Sequence, residues 1–187
     1  MIGFNRRFDP NSASLKTAFD GGEIGRGKLL SIISLDPAPP PLSYAGVSVG
    51  FVRNMVIHDF DMCAVPFGLK ERVMAHGSCL ADPAIGATGH VDTAVAVLSY
   101  ADERIATIRN SRRAALGYDQ RVELLRSTAC SRPATSWRAR WSRELAPGVA
   151  SANPVLLFLE PYMRAYAVEL PAFMDACTEG APVPGPL

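Results

Sequence analysis

Residues 50–68 contain the side chains of this chain that are best suited to acid–base chemistry. Apolar residues recur there every three to four positions, which predicts a helix; they are Val52, Met55, Val56 and Phe60. Positions four apart share one face of a helix, so Asn54 is expected to lie one turn before His58. An unperturbed imidazole has a pKa of about 6.5, which makes His58 the candidate general base and Asn54 its hydrogen-bonding neighbour.

Two other interpretations of His58 stay open from its position alone. A histidine on a helix can be a hydrogen-bonded structural residue, because general-base catalysis also requires a pocket of suitable geometry. A metal site built from His58, Asp59 and Asp61 is disfavoured, since adjacent positions diverge on a helix and no second His or Cys cluster completes the coordination. The sequence therefore predicts no metal.

The composition indicates an ordinary globular protein with a small ligand. The chain has 187 residues, of which 48% are hydrophobic and 20% are charged, enough for one domain or slightly more. Its 19 basic and 18 acidic residues leave a net charge of +1, which argues against nucleic acid or an anionic membrane surface as the main partner. No apolar run reaches the length of a membrane helix. A small molecule or a second copy of the chain is the expected partner.

Cysteine usage and the first residues favour a reducing compartment. The four cysteines have no CxxC spacing, and Met1 leads directly into a charged segment containing Arg6 and Arg7 rather than into a signal peptide. We therefore expect a cytoplasmic protein with free thiols.

The pattern of apolar residues predicts one early strand, one central helix and a later sheet. Strands are expected over residues 28–35, 72–80, 91–100, 104–110 and 120–126, separated by turn-forming residues. A hairpin turn at residues 101–103 makes the sheet at least partly antiparallel. Helices are expected over 14–19 and 156–177, where Pro171 should kink or end the second one. Residues 127–154 lack clean periodicity and are interpreted as an exposed, irregular strand pair.

Six blocks of the sequence resemble one enzyme family in order and spacing. They are GFNRRFDP (3–10), DPAPPPLSY (36–44), NMVIHDFDM (54–62), DPAIG (82–86), NSRRAALGYDQRVE (110–123) and FLEPYMRAYAVEL (158–170). Together they cover nearly the whole chain. They are similar to blocks of the inositol 2-dehydrogenases in the Gfo/Idh/MocA family, which is named after glucose-fructose oxidoreductase, inositol dehydrogenase and a rhizopine-catabolism protein.

The resemblance implies an α+β fold, in which a largely antiparallel open sheet carries helices on one face. This is the fold of the C-terminal domain of a Gfo/Idh/MocA oxidoreductase. It would occupy residues 23–187 and provide substrate binding and oligomerisation, whereas residues 1–22 would be a remnant of the edge of the N-terminal Rossmann domain. The family uses NAD, but this chain has no G-x-G-x-x-G motif, so no residue of it is expected to bind the cofactor.

The same resemblance assigns roles to individual residues. His58 matches the family's base, and Asn54 stands where the family has an aspartate that orients and charges that base. Arg6 matches an arginine of the polyol pocket, and Tyr118 and Asp119 lie in a block that supplies further hydroxyl contacts. Without the family, Arg6 could equally be a surface ion-pairing residue, Tyr118 a sheet residue and Asp119 a turn former.

Three functional hypotheses follow. In the first, the chain is the substrate half of an enzyme that oxidises a secondary alcohol of a cyclic, myo-inositol-like polyol with NAD, inactive alone and assembled as a homo-oligomer through its sheet face. In the second, it is a catalytically dead remnant that acts as an assembly or scaffold protein. In the third, the sequence is an incomplete gene product, and the first hypothesis then applies to its parent.

Overall fold

The computed structural model describes residues 3–21, 27–45, 47–48, 50–115, 117–126, 130–131, 142–145, 148–151 and 159–180. The boundary predicted between residues 22 and 23 lies outside this set and stays a prediction. The strands are β1 (Gly27–Leu35), β2 (Arg72–Ser78), β3 (Thr93–Ser99), β4 (Ile105–Ser111), β5 (Asp119–Arg126), β6 (Cys130–Ser131), β7 (Ser142–Leu145) and β8 (Gly148–Ser151). The helices are α1 (Pro10–Asp20), α2 (Leu42–Ala45), α3 (Ile57–Phe67), α4 (Pro83–Ala87) and α5 (Leu159–Thr178). A 3₁₀ turn, Asn5–Phe8, precedes α1, and a π turn, Val52–Val56, leads into α3.

Six strands form one sheet in the order β2-β3-β4-β1-β5-β6. Neighbouring strands run antiparallel except for β1 and β4, which are parallel and are joined through α3 and the β2–β3 hairpin. The predicted α+β fold with a largely antiparallel open sheet is therefore confirmed. All five strands predicted between residues 28 and 126 are present, with ends shifted by at most two residues. The hairpin predicted at residues 101–103 joins β3 to β4, closed by the bond from Tyr100 N to Arg104 O at 3.1 Å.

The hydrophobic core lies between one face of this sheet and α3. Successive strand residues alternate between the two faces, so every second apolar residue is buried. Fully buried side chains include Leu30 and Ile32 of β1 together with Leu98, Ile108 and Leu124, and they form one cluster with Met62, Cys63 and Phe67 of α3. Burying each such aliphatic side chain contributes about 1.5–3 kcal/mol. The core therefore fixes α3, and His58 in its first turn, against the sheet.

The opposite face of the sheet is open. Val95 and Val97 of β3 are 45% and 37% exposed, and Ile105 of β4 is 43% exposed. The edge strand β2 is exposed along almost its whole length and pairs Met74 with Val97 on this face. We call this surface the open sheet face.

The α5 helix continues through Pro171 to Thr178, so this proline does not end it. The kink that was the other predicted outcome at Pro171 stays a prediction. A proline inside a helix frees the carbonyl four residues before it, but Leu170 and Phe173 beside it are exposed, so water can reach this part of the helix. The start predicted at residue 156 lies outside the described residues. No helix in the described part of the chain is long and apolar enough to cross a bilayer.

Two smaller predictions concern the ends of the chain. The helix predicted at residues 14–19 is present as α1 and begins at Pro10, a residue favoured in the first helical turn because its missing N–H would have no partner there. In the poorly patterned stretch 127–154, β7 and β8 form an antiparallel pair, which agrees with the interpretation of an irregular strand pair. Much of that stretch lies outside the described residues.

Candidate active site

A cavity of about 440 Å³ opens beside the first turn of α3. Its walls come from the 3₁₀ turn, the loop after β1, α2, the π turn with the start of α3, the loop after β4 and one face of α5. The structure brings together four of the five predicted site residues here, namely Arg6, Asn54, His58 and Tyr118. The other lining residues are Asn5, Asp36, Pro40, Tyr44, Met55, Arg112, Tyr162 and Tyr166.

His58 enters the cavity wall as a neutral imidazole. Its ring packs edge-on against Phe4, with the ring centroids 6.1 Å apart. Burial lowers the pKa of His58, and the positive charge of Arg6 lowers it further, against a weaker raising effect of the carboxylates Asp59 and Asp61. Its Nδ1 atom is buried and has no hydrogen-bond partner among the described residues. A neutral imidazole has one unprotonated nitrogen, which can accept a proton near neutral pH.

Asn54 does not pair with His58 as the sequence predicted. Its Nδ2 donates to the hydroxyl of Tyr44 at 2.7 Å, and its Oδ1 accepts a hydrogen bond from Nη2 of Arg112. The cause is the π turn at residues 52–56, because a π turn bonds positions five apart instead of four and so changes which residues stack on each other. Within the described residues, the orientation of His58 depends on its packing against Phe4 and not on a bond to Asn54.

Arg112 joins two walls of the cavity. Its Nη1 donates to Oδ2 of Asp36 at 3.0 Å, while its guanidinium lies 5.4 Å from the ring centroid of Phe51. Burial raises the pKa of Asp36, and the charge of Arg112 counteracts that rise. The pair connects the loop after β1 to the loop after β4.

Arg6 reaches the cavity from the 3₁₀ turn and is paired behind it. Its Nη1 forms an ion pair with Oδ1 of Asp59, whose side chain is fully buried. Burial is the largest single influence and lowers the pKa of Arg6, but the charge of Asp59, the neighbouring phenols and the hydrogen bond to Asp59 together raise it by more. The net pKa is raised, so Arg6 is a permanent cation. The guanidinium also lies 5.9 Å from the ring centroid of Tyr162, which favours a cation there.

Two buried tyrosines complete the wall on the α5 side. Tyr118 and Tyr162 are 3% and 4% exposed, and their rings pack edge-to-face with centroids 6.5 Å apart. Burial raises the pKa of both phenols, which keeps them protonated near neutrality. Each protonated phenol can both donate and accept a hydrogen bond.

Asp119 does not line the cavity of this chain, and the hydroxyl contact predicted for it stays a prediction. Its carboxylate forms an ion pair with Arg121, which donates from Nε at 2.9 Å and also from Nη2. Neighbouring residues at the start of β5 point to opposite sides, because side chains alternate along a strand. Tyr118 therefore lines the cavity while Asp119 faces away from it.

Comparison with known proteins identifies the fold family. The family model for the GFO/IDH/MocA C-terminal domain matches residues 13–132, which is more than half of the chain. The chain belongs to the Gfo/Idh/MocA family.

Several inositol dehydrogenases are similar along nearly all of this chain. Myo-inositol 2-dehydrogenase from Thermotoga maritima is 42% identical over 183 residues, which are 97% of this chain and 55% of that protein. Inositol 2-dehydrogenase from Rhizobium meliloti is 40% identical and covers 98% of this chain and 56% of its own length. A crystal structure of scyllo-inositol dehydrogenase from Lactobacillus casei, with bound NAD(H) and scyllo-inositol, superposes with a TM-score of 0.82 at 27% identity and covers 96% of this chain and 55% of its own. This Gfo/Idh/MocA chain thus spans about half the length of the curated relatives it matches.

The described residues of this Gfo/Idh/MocA domain do not fit a dinucleotide. An NAD site needs a strand, a glycine-rich turn and a helix whose N-terminus receives the pyrophosphate. Here β1 runs into Asp36 and a proline-rich loop, and the strand and helix that follow do not supply that unit. In the same ranges, no group of three or more His, Cys, Asp and Glu side chains is arranged to hold a metal ion.

Sequence reasoning missed Asp36, Arg112 and Tyr162, and it considered Asp59 only as part of a disfavoured metal site. Asp59 could have been noticed, because it stands four residues after Met55 and three before Met62, both buried. A carboxylate on the buried face of a helix requires a partner, and Arg6 is that partner. Arg112 and Tyr162 lie inside blocks already used for the family resemblance, but neither spacing nor composition points to a cavity.

Proposed function

We propose that this chain is the polyol-binding half of an inositol dehydrogenase-type oxidoreductase, in which His58 accepts the proton of the reacting hydroxyl. The observation that carries the proposal is that the imidazole of His58 lines the same cavity as Arg6, Arg112 and Tyr118. The dehydrogenases from Thermotoga maritima and Rhizobium meliloti, both named for inositol, support the substrate class.

The charges around the cavity support a neutral ligand with many hydroxyl groups. Arg6 is paired with Asp59 and Arg112 with Asp36, so the cations in the wall are each balanced. Guanidinium groups donate hydrogen bonds, a carboxylate accepts them, and phenols do both. An uncharged cyclic polyol, which presents both donors and acceptors around a ring, matches such a set of groups in a cavity of this size.

Alcohol oxidation removes a proton from oxygen and a hydride from carbon, and the proposal assigns only the proton to this chain. Neutral His58 accepts it, while Arg6 and Tyr118 hold neighbouring hydroxyls so that the reacting one faces the imidazole. The family resemblance implies NAD as the hydride acceptor, for which the described residues have no fitting site. Because Asn54 carries no charge, it cannot stabilise the imidazolium formed, and by analogy with other orienting carboxylates its presence is expected to cost about 10²- to 10⁴-fold in rate.

The open sheet face supports a second component of the proposal, self-association. Met74, Val95, Val97, Ile105 and Leu125 are exposed apolar residues of β2, β3, β4 and β5. An apolar area shared by several strands favours an interface between copies of a protein. If the cavity binds no polyol, this surface would favour the alternative function of an assembly protein.

The proposed function can be tested by nuclear magnetic resonance on the full chain. We expect myo-inositol or scyllo-inositol to shift the imidazole resonances of His58 saturably while those of His76 and His90 stay in place. Tyr118→Phe removes one hydroxyl from the cavity and should weaken binding by about 2- to 12-fold, the effect of one hydrogen bond of about 0.5–1.5 kcal/mol. Tyr100→Phe is the matched control, since Tyr100 is equally buried but packs in the core and not in the cavity.

Two results would contradict the proposal. One is an absence of any response of His58 to either inositol. The other is an equal loss of affinity in Tyr118→Phe and Tyr100→Phe, because the effect would then come from general loosening of the fold.

A further inference from the structure

Two adjacent ion pairs join the 3₁₀ turn at residues 5–8 to α3, and the arginine of only one of them lines the cavity. Arg6 pairs with Asp59, and Arg7 pairs with Asp61, whose Oδ2 accepts from Nε of Arg7 at 2.7 Å. Both carboxylates come from the same helix, and both side chains are at most 4% exposed. Arg6 lines the cavity, whereas Arg7 does not.

Asp59 is held by a row of polar residues that crosses the sheet. Ser34 in β1 is the register partner of Asn110 in β4 and of Gln120 in β5, so the three side chains form one line on the core face. They are 0%, 2% and 3% exposed. Oδ1 of Asp59 accepts from Ser34 Oγ at 2.7 Å and from Gln120 Nε2 at 3.4 Å, and Oδ2 accepts from Asn110 Nδ2. A buried carboxylate with donors from three strands has little freedom to move.

This anchoring leaves part of Arg6 available to a ligand. Among the described residues, the hydrogen bonds of Arg6 all come from Nη1, which donates to Asp59 and, at 3.5 Å, to Ser34. Its Nε and Nη2 form no hydrogen bond with the described residues, and Arg6 lines the cavity. Because the guanidinium is planar and is held at Nη1, its other donors have a defined direction. The ring of Tyr162 bounds the same guanidinium at 5.9 Å.

We propose that Asp59 is a positioning residue of the cavity, which together with the row Ser34, Asn110 and Gln120 fixes Arg6 so that its Nε and Nη2 point at a bound polyol. This inference rests on the proposed function, because it assumes that the ligand is a polyol. Asp59 itself does not line the cavity, so it acts through Arg6.

The experiment compares Asp59→Asn with the matched variant Asp61→Asn in the full chain. Each variant replaces one buried carboxylate of α3 by an amide and leaves one arginine of the 3₁₀ turn without its counter-charge. Both should therefore lower the melting temperature. The inference expects Asp59→Asn to weaken inositol binding by at least about tenfold, while Asp61→Asn stays within about twofold of the wild type. The Nη1 protons of Arg6, which donate to Asp59 and Ser34, can be assigned with an Arg6→Lys variant. They should lose their protection from solvent exchange only in Asp59→Asn.

A second pair of variants covers the case in which Asp59→Asn does not fold. Ser34→Ala removes one donor from Asp59 without changing any charge and should weaken binding by about two- to tenfold. Ser31→Ala, on the same strand and facing the other side, is its control and should have no effect. If the folded Asp59→Asn or Ser34→Ala variants bind like the wild type, or if Asp61→Asn loses as much affinity, the positioning role is wrong.

Failure of the proposed function would give a different pattern. If the wild type binds no inositol, the proposed function is contradicted, but the exchange protection of Arg6 still decides the positioning role. Loss of protection in Asp59→Asn and its retention in Asp61→Asn would support that role, and equal behaviour of the two would refute it.

Discussion

Replacing Arg112 by methionine removes the cation that ties two walls of the cavity together. The variant loses the bonds from Arg112 to Asp36 and Asn54 and the contact with the ring of Phe51. Hydrogen bonds to charged groups contribute about 1.5–3 kcal/mol each, and a cation–π contact adds about 0.5–1 kcal/mol. The side chains of Arg112 and Asp36 are 13% and 20% exposed, so solvent reduces the sum. We expect the free energy of unfolding to fall by about 2–3 kcal/mol, or about 4–12 °C in Tm for a chain of this size.

The assay is thermal unfolding followed by circular dichroism, with Arg113→Met as the control. Replacing Arg113 removes the same charge one residue later in the chain. The side chain of Arg113 is exposed and forms no hydrogen bond in the described part of the chain. Inositol binding should also weaken in Arg112→Met and not in Arg113→Met. The reasoning is refuted if the two variants unfold within about 0.5 kcal/mol of each other.

The stability deficit of Arg112→Met should depend on pH in a defined direction. Burial raises the pKa of Asp36 and Arg112 lowers it, so removing Arg112 raises that pKa further. Consider a carboxyl whose pKa is higher in the folded than in the unfolded state. Between these two pKa values the folded state binds more protons than the unfolded state, so the free energy of unfolding falls as the pH rises. The deficit should therefore be small near about pH 4 and larger near about pH 7. A deficit that does not change with pH would exclude the charge of Asp36 as its cause.

Two further predictions concern the fold and its assembly. Arg104→Met should lower the free energy of unfolding by about 1–3 kcal/mol, because Arg104 donates to the carbonyl of Phe67 at 3.1 Å at the end of α3 and lies 4.4 Å from that residue's ring. The control is Arg109→Met in β4, the strand that follows Arg104; it should change the free energy of unfolding by less than about 0.5 kcal/mol in urea titrations. Val97→Lys on the open sheet face should reduce the mass measured by light scattering, whereas the control Val168→Lys on α5 should leave it unchanged. An unchanged mass for Val97→Lys would contradict assembly through the open sheet face, and so would a monomeric wild type.

The sheet and the core helix could be predicted because local patterns agree with the tertiary structure there. Alternating apolar residues gave β1, β3 and β4, and turn-forming residues gave the hairpin between the last two. The apolar pattern at residues 52–60 also predicted the helix that faces the core, since Met55 and Val56 are buried, although Val52 is 50% exposed. The parallel pairing of β1 with β4 could not be predicted, because it joins segments far apart in the chain whose local patterns carry no information about direction.

The cavity was only partly predictable, because its details depend on geometry that spacing does not encode. Family resemblance selected Arg6, His58 and Tyr118, and the structure brings them to one cavity. An ideal helix would have stacked Asn54 on His58, but a single π turn redirects its amide to Arg112. Asp119 was assigned from its block, and the alternation of side chains along the strand directs it to Arg121 instead. For both residues the direction of the side chain depends on local backbone geometry, which the sequence motif does not encode.

The central position of β1 has a consequence for how the protein folds. Leu30 pairs with Ala106 on one side and with Leu124 on the other, so the strand made first must wait for partners made much later. Topologies rich in such distant contacts fold slowly, and during that wait both edges of an apolar strand are open to other chains. Ser34, Asn110 and Gln120 meet only when both neighbouring strands have paired with β1 in register. The cavity is therefore completed late in folding. The chain should aggregate more readily while it is being synthesised and folded than after it has folded.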